Sequence, residues 1–213
     1  MISVLRLKEH IEGKSAATVT KYQKSLELLA GYLEWREAED WGELSGRDWA
    51  ELIGSFYFER NFDTSINHAK SFLSVLKKFL KYVDRKYQTS HSEFLKQLLD
   101  ESEQEIFSCI SMLDQFVPYQ VRKYGSPFYD AELRLRSGII GVFQIQSINA
   151  SSVRVKEIID KSRKTYTVSL PRDVMENVFL GQLIEGSIRK TNINSWGFET
   201  VERVFPSFAR HFL

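Results

Sequence analysis

The apolar period changes once along this chain, and that change limits what the chain can fold into. Up to about residue 134, apolar residues recur at three- and four-residue steps, and beyond it they alternate. The first pattern places them on one face of a helix and the second on one face of a strand. The expectation is an α+β multidomain protein. Its 213 residues are enough for one large domain or two small ones, each with a core.

In chain order, residues 1–12 read as a short lead-in helix that Gly13 breaks. Ser15 then caps a helix over 16–35, with Val19, Tyr22, Leu26, Leu29 and Leu33 on one face. After the polar loop EAEDWGEL, Ser45 caps a third helix over about 46–60, with Trp49, Leu52, Ile53 and Phe56 inward. Asn61 to Asp63 turn the chain into a fourth helix over 64–86, for which Thr64 is the expected N-cap. Four locally consistent helices in about 88 residues predict a bundle, domain 1–88. Residues 92–117 read as an acidic helix along Phe94, Leu98, Leu99, Ile106, Cys109, Ile110, Leu113 and Phe116. Pro118 is expected to end it and open a hinge, so 89–130 forms a connector.

Residues 131–213 form the third region. RSGIIGVFQIQSI, SSVRVKEII, KTYTVSL, QLIEGSIRK and GFETVERVF read as five strands. Turns are supplied at 149–151, 160–162 and 192–195, and PRDVMENVFLG is a short helix between the third and fourth strands. The order strand–strand–strand–helix–strand–strand predicts a small β-barrel, OB-like or SH3-like.

Composition excludes several classes. No apolar run approaches a membrane span, and the first residues lack the apolar core of a secretory signal, so a cytoplasmic protein is expected. The single cysteine, Cys109, excludes a disulfide framework and a Cys-based zinc site. No phosphate-cradling glycine loop, His/Cys metal spacing or nucleophile elbow is present, so no cofactor and no metal is expected. Asp100, Glu101, Glu103 and Glu105 all lie on one helix, whereas two-metal chemistry needs carboxylates converging from separate elements.

Net charge is only +1, but it is unevenly spread. Residues 1–88 carry 14 Lys/Arg against 13 Asp/Glu, 89–133 carry 3 against 8, and 134–213 carry 12 against 7. Nucleic-acid contact would therefore use local patches rather than a global field. One such patch lies on the fourth helix. Ile66, Ala69, Leu73, Leu76, Leu80 and Val83 share its apolar face, widened by Phe72 and Phe79. Around it lie Asn67, Lys70, Ser74, Lys77, Lys78, Lys81 and Arg85.

Three runs, KSAATVTKYQKSLELLAGYL, WGELSGRDWAELIGSFYFER and TSINHAKSFLSVLKKFLKYV, resemble the N-terminal core-binding (SAM-like) domain of tyrosine recombinases, or phage integrases. The resemblance rests on Ser15, Thr18, Tyr22 and Leu26, then Leu44, Ser45, Asp48, Trp49 and Leu52, then Ile66, Asn67, Ser71, Leu76, Phe79 and Leu80. It covers about residues 1–88. It implies a domain that grips duplex DNA through helix starts, at Lys14, Thr18, Lys21 and Lys24 and at Asn67, His68, Lys70, Ser71, Ser74 and Lys78. Lys77 and Lys81 extend the basic face. Two departures matter. His68, Ala69 and Ser74 stand where arginines are common in that family, and arginine makes bidentate contacts these residues cannot. No histidine opens the His-x-x-Arg of the recombinase catalytic domain, and the remaining length is too short for that domain. No strand-transfer activity is expected, and no enzyme.

A second cationic path is offered by Arg154, Lys156, Lys161, Arg163, Lys164, Arg189 and Lys190, with Tyr166, Phe198 or Trp196 as stacking platforms. The plainer reading puts Tyr166 and Phe198 in the core and Trp196 in a turn. The expected function is non-catalytic DNA binding, as a regulator or accessory factor such as a mobile element carries, with a possible protein partner at the barrel. The alternative is a protein-interaction module that keeps the fold without DNA.

Overall fold

The computed structural model describes residues 15–60, 65–124, 138–159, 164–191, 193 and 195–213. Expectations for the lead-in helix, Lys14, Asn61 to Thr64, and Lys161 and Arg163 lie outside these residues. The chain is α+β, with helices in the N-terminal half and a five-stranded sheet in the C-terminal part. It divides into two compact units, Met1–Glu103 with Phe212, and Gln104–His211 with Leu213. No described helix is long and apolar enough to cross a membrane.

In the first unit, α1 spans Ala16–Trp35 and buries Tyr22, Leu26, Leu29 and Leu33, the expected face. Asp40 caps the short 3-10 turn Trp41–Glu43, its side chain accepting from the Gly42 amide at 2.7 Å. Helix α2 covers residues 46–60. It opens as Gly46–Glu51, widens into a π-helix over Leu52–Phe56 and closes as Tyr57–Arg60. At its start the Ser45 amide and hydroxyl donate to Asp48 Oδ2 at 2.8 and 2.6 Å, and Arg36 reaches Asp48 Oδ1 at 2.6 Å. Burial disfavours the Asp48 charge, but the Ser45 hydrogen bonds and Arg36 outweigh it and hold the carboxyl below its ordinary range.

Helix α3 spans Ile66–Tyr87. Its N-cap is Ser65 rather than Thr64: Ser65 is the last extended residue, and its hydroxyl accepts from the His68 amide at 3.1 Å. Helix α4 spans His91–Tyr124, continuing through Pro118 instead of ending there. An interior proline removes one main-chain hydrogen bond and crowds the carbonyl four residues back, which makes Pro118 a reasonable stop signal, but the backbone of α4 stays helical through it. The buried stripe also differs from the expected one. Of the expected residues Leu99, Ile106, Cys109, Ile110 and Phe116 are buried, joined by Leu95, Ser102 and Met112, while Leu98 and Leu113 are half-buried and Phe94 is half exposed against Gly46. Steps of four and three from Leu95 keep one face in register, and Phe94 falls one position off it.

The α4 start is built from α3. Asp84 Oδ1 accepts from the Thr89 hydroxyl and the His91 amide, and Oδ2 accepts from the Ser92 amide, each at 2.8 Å. These bonds overcome the cost of burial and hold the Asp84 carboxyl below its ordinary range. His91 itself is buried. Its Nδ1 accepts from Trp49 Nε1 at 3.2 Å, which leaves Nε2 to donate to the Trp41 carbonyl at 2.9 Å.

In the second unit, β1 (Ile139–Ile148), β2 (Ser152–Glu157), β3 (Thr165–Ser169), β4 (Leu183–Lys190) and β5 (Trp196–Phe205) match the five expected strands within a few residues. Their order is β1-β2-β3-β5-β4, and β1 pairs with β4 as well as with β2. All pairs are antiparallel except β3 with β5, which is parallel through Val168 and Trp196 and through Ser169 and Gly197. The expected helix after β3 shrinks to α5, Arg172–Met175, and the chain then turns at Gly181, whose φ of +85 favours glycine. Phe143, Ile145, Val153, Val155, Val168 and Ile184 fill the interior. The second part of α4 belongs to this unit: Gln182 Nε2 approaches Cys109 Sγ at 3.6 Å, and Glu105 accepts from the Ser207 amide and hydroxyl at 3.0 and 2.7 Å. Burial pushes the Cys109 thiol up, as befits a core residue rather than a nucleophile.

Candidate nucleic-acid interface

The candidate surface is the exposed face of α3. Eight residues of the helix are buried, among them Phe72, Leu76, Phe79, Leu80 and Val83, and they fix which way it turns. That leaves Asn67, Lys70, Lys78, Lys81 and Arg85 exposed, with His68, Ser71, Ser74 and Lys77 half-buried beside them. The helix carries six Lys/Arg and one carboxylate, Asp84. Asp84 turns to the start of α4, where its carboxylate accepts hydrogen bonds from Thr89, His91 and Ser92.

The nine predicted contact residues with described side chains are not equivalent. Lys77 donates to Glu103 Oε1 at 3.0 Å, so its charge is balanced within the unit. His68 is positioned from below: Tyr57 packs on its ring with centroids 6.5 Å apart, and the Tyr57 hydroxyl lies 3.4 Å from His68 Nδ1. Tyr57 in turn stacks on Phe72 at 5.0 Å. The π-helix of α2 supports this arrangement, because the Tyr57 amide bonds back to the Leu52 carbonyl and shifts the register by one residue. At the helix start, the free amides and the positive end of the dipole add to the cations in favouring an anion. Lys24 is exposed on α1, where Thr18 and Lys21 also lie in the helix, their side chains outside the described residues.

Reading the sequence missed Tyr82 and Lys86. Lys86 Nζ donates to the Tyr82 hydroxyl at 2.9 Å and lies 5.8 Å from the centre of the Tyr87 ring. The signal was present, since Tyr82 and Lys86 are four residues apart and so share a face. No group of three or more metal-ligating side chains occurs among the described residues.

The second expected path separates into parts. Tyr166 and Phe198 are buried and make edge contacts with Phe143 at 6.3 and 6.0 Å, so neither is a stacking platform. Trp196 is half-buried, 5.0 Å from Tyr166, and opens β5 instead of sitting in a turn. Arg189 is tied to Glu199 at 3.3 Å. Arg154, Lys164 and Lys190 are exposed and Lys156 is half-buried. Compared with known proteins, the chain matches no family model, no curated protein and no solved structure.

Proposed function

We propose that this is a non-catalytic DNA-binding protein, a regulator or accessory factor, that lays the exposed face of α3 along duplex phosphates. The observation that carries the reading is the charge division of that helix. One face is buried, and the other exposes Asn67, Lys70, Lys78, Lys81 and Arg85 while its lone carboxylate is engaged elsewhere. The resemblance to a recombinase core-binding domain supports the same surface. In this reading phosphate contacts supply affinity and Asn67 with His68 supplies what base contact there is.

The test is fluorescence anisotropy of labelled duplex at several salt concentrations. Replacing Lys70, Lys78 and Lys81 by Gln should weaken binding to every sequence and reduce the salt slope by about 2.7, near 0.9 per phosphate contact. Unchanged affinity in that variant would overturn the proposal.

For the second unit we propose an OB-like barrel over an SH3-like one. Support comes from the parallel β3–β5 pair, the double pairing of β1, and α5 between β3 and β4. A direct amide contact between Val168 and Trp196 by NMR checks the least common of these pairings. The reading from another class is a protein-interaction module. It draws on Trp35, 54% exposed beside Phe56 with Arg60 over the same ring, since Trp and Arg are enriched at interface centres. Oligomerisation abolished by Trp35→Ala, in a protein that shows no salt-dependent duplex binding, would favour it.

A further inference from the structure

Cations on the two sides of the sheet in the second unit are treated differently. On β4 and β5, Arg203 meets Glu185 at 2.7 Å and Arg189 meets Glu199 at 3.3 Å, so arginine is answered by carboxylate across the strand pair. On β1, β2 and β3 the only carboxylate is Glu157, which is buried. The outward residues of β2 and β3 are Arg154, Lys156, Thr165, Thr167 and Ser169, with Lys164 exposed just before β3. Their inward neighbours Val153, Val155, Tyr166 and Val168 fill the core, which fixes the alternation. Arg154 lies opposite Thr167 and Lys156 opposite Thr165.

Arg154 is also held in place. Its Nε and Nη2 reach the Thr165 hydroxyl at 3.3 and 3.1 Å, so the guanidinium lies across the strand pair with Nη1 still able to donate. A fixed guanidinium loses less freedom on binding a phosphate than a loose one. Arg154 and Lys156 are two residues apart on one strand face, about 7 Å along it. A solvated sheet face ordinarily mixes charges in cross-strand pairs, as Arg203 and Glu185 do. This face offers cations and hydroxyls only, among the described residues.

We propose that the outer face of β2 and β3 is a second anion-binding surface and takes the backbone of single-stranded nucleic acid. The cations form one narrow row, which tracks one phosphate backbone instead of the two of a duplex, and the Thr and Ser hydroxyls supply further donors to phosphate oxygens. With Tyr166 turned inward, no aromatic ring stands among the outward residues of β2 and β3, so binding is indifferent to base sequence and strongly dependent on salt.

The experiment uses the full chain, a labelled oligothymidylate and a salt series. Three cations predict a slope of about −2 for a single strand. Arg154→Ser with Lys156→Ser should weaken binding about tenfold and leave a slope of about −0.7, with an unchanged thermal melt, since both side chains reach solvent. The Lys70, Lys78, Lys81 variant should bind oligothymidylate as the parent does, which separates this surface from the α3 face. No binding of oligothymidylate, or loss following the α3 lysines instead, overturns the proposal. So does competition by polyglutamate as effective as by unlabelled oligothymidylate, which would make this a face for acidic peptides.

Discussion

The two parts of α4 are anchored by different chemistry. Its start, in the first unit, is held by a charged group: Asp84 accepts three hydrogen bonds, and His91 links Trp49 to the Trp41 carbonyl. Its continuation, in the second unit, is held mainly by neutral groups, with Gln182 near Cys109 and Asn177 donating to Gln115 at 3.1 Å, and with Glu105 as the carboxylate among them. A half-buried carboxylate anchors strongly as long as it stays charged, whereas an amide is indifferent to pH. The start of α4 therefore leans most on one carboxylate, which accepts three hydrogen bonds, where Glu105 accepts two beside neutral contacts.

The largest expected loss is at Trp49, which is fully buried and holds His91. Trp49→Ala should cost about 4 kcal/mol in denaturant melts, the cavity adding to the unpaired His91 nitrogen. Trp49→Phe should recover most of the packing but not the hydrogen bond. Equal losses in the two variants would mean the hydrogen bond, not the cavity, dominates.

The matching break in the second unit is at Gly186. A Cβ there would stand 2.1 Å from the Thr200 carbonyl oxygen, at a β-bulge between β4 and β5. Backbone cannot yield as a side chain can, so Gly186→Ala should cost about 3 kcal/mol. A wild-type melt from that variant would show that the two strands approach less closely than described.

Acid sharpens the comparison at a smaller scale. Asp48 and Asp84 both have carboxyls held below the ordinary aspartate range by the hydrogen bonds they accept. A depressed folded pKa means the stabilisation is complete above the unfolded value and disappears as pH falls through the folded one. Stability should thus decline below about pH 4 through these two groups. Asp84→Ala should cost about 2 kcal/mol at pH 7 and flatten that acid limb, since it removes a cap shared by three donors. An acid limb unaltered in Asp84→Ala and in Asp48→Ala would assign it to other carboxylates.

Much of this architecture was legible in the sequence. The α1 bounds and the five strands followed from period together with the Ser15 cap and the turn residues, because burying one face of each element demands that period. Misreadings arose where local signals compete. Thr64 and Ser65 are both good caps, and only the position of the first helical residue separates them. Pro118 reads as a stop, yet α4 continues through it. Phe94 looked like core because a one-residue shift of stripe cannot be seen from composition. The site was half legible. The basic face of α3 is a sequence property, but the engagement of Lys77 with Glu103, of Arg189 with Glu199 and of His68 with Tyr57 depends on side chains brought together from other elements.

That last distinction carries the finest test. Lys77 and Glu103 are each more than 40% exposed, so their ion pair contributes little to stability, and Glu103→Gln should change it by less than about 0.5 kcal/mol. Its effect on DNA should be of the opposite kind. With Glu103 neutral, Lys77 keeps its position beside Lys78 and Lys81 but no longer spends its charge internally. Duplex binding should then tighten, and the salt slope should steepen by about 0.9, the increment of one more phosphate contact. Lys77→Gln, by contrast, should weaken binding less than Lys78→Gln does, because its charge was already balanced. Tightening in Glu103→Gln with no change in the melt would place Lys77 within the grip. An unchanged slope would restrict the phosphate row to Lys70, Lys78, Lys81 and Arg85, and would make the Lys77–Glu103 pair a feature of the unit's surface alone.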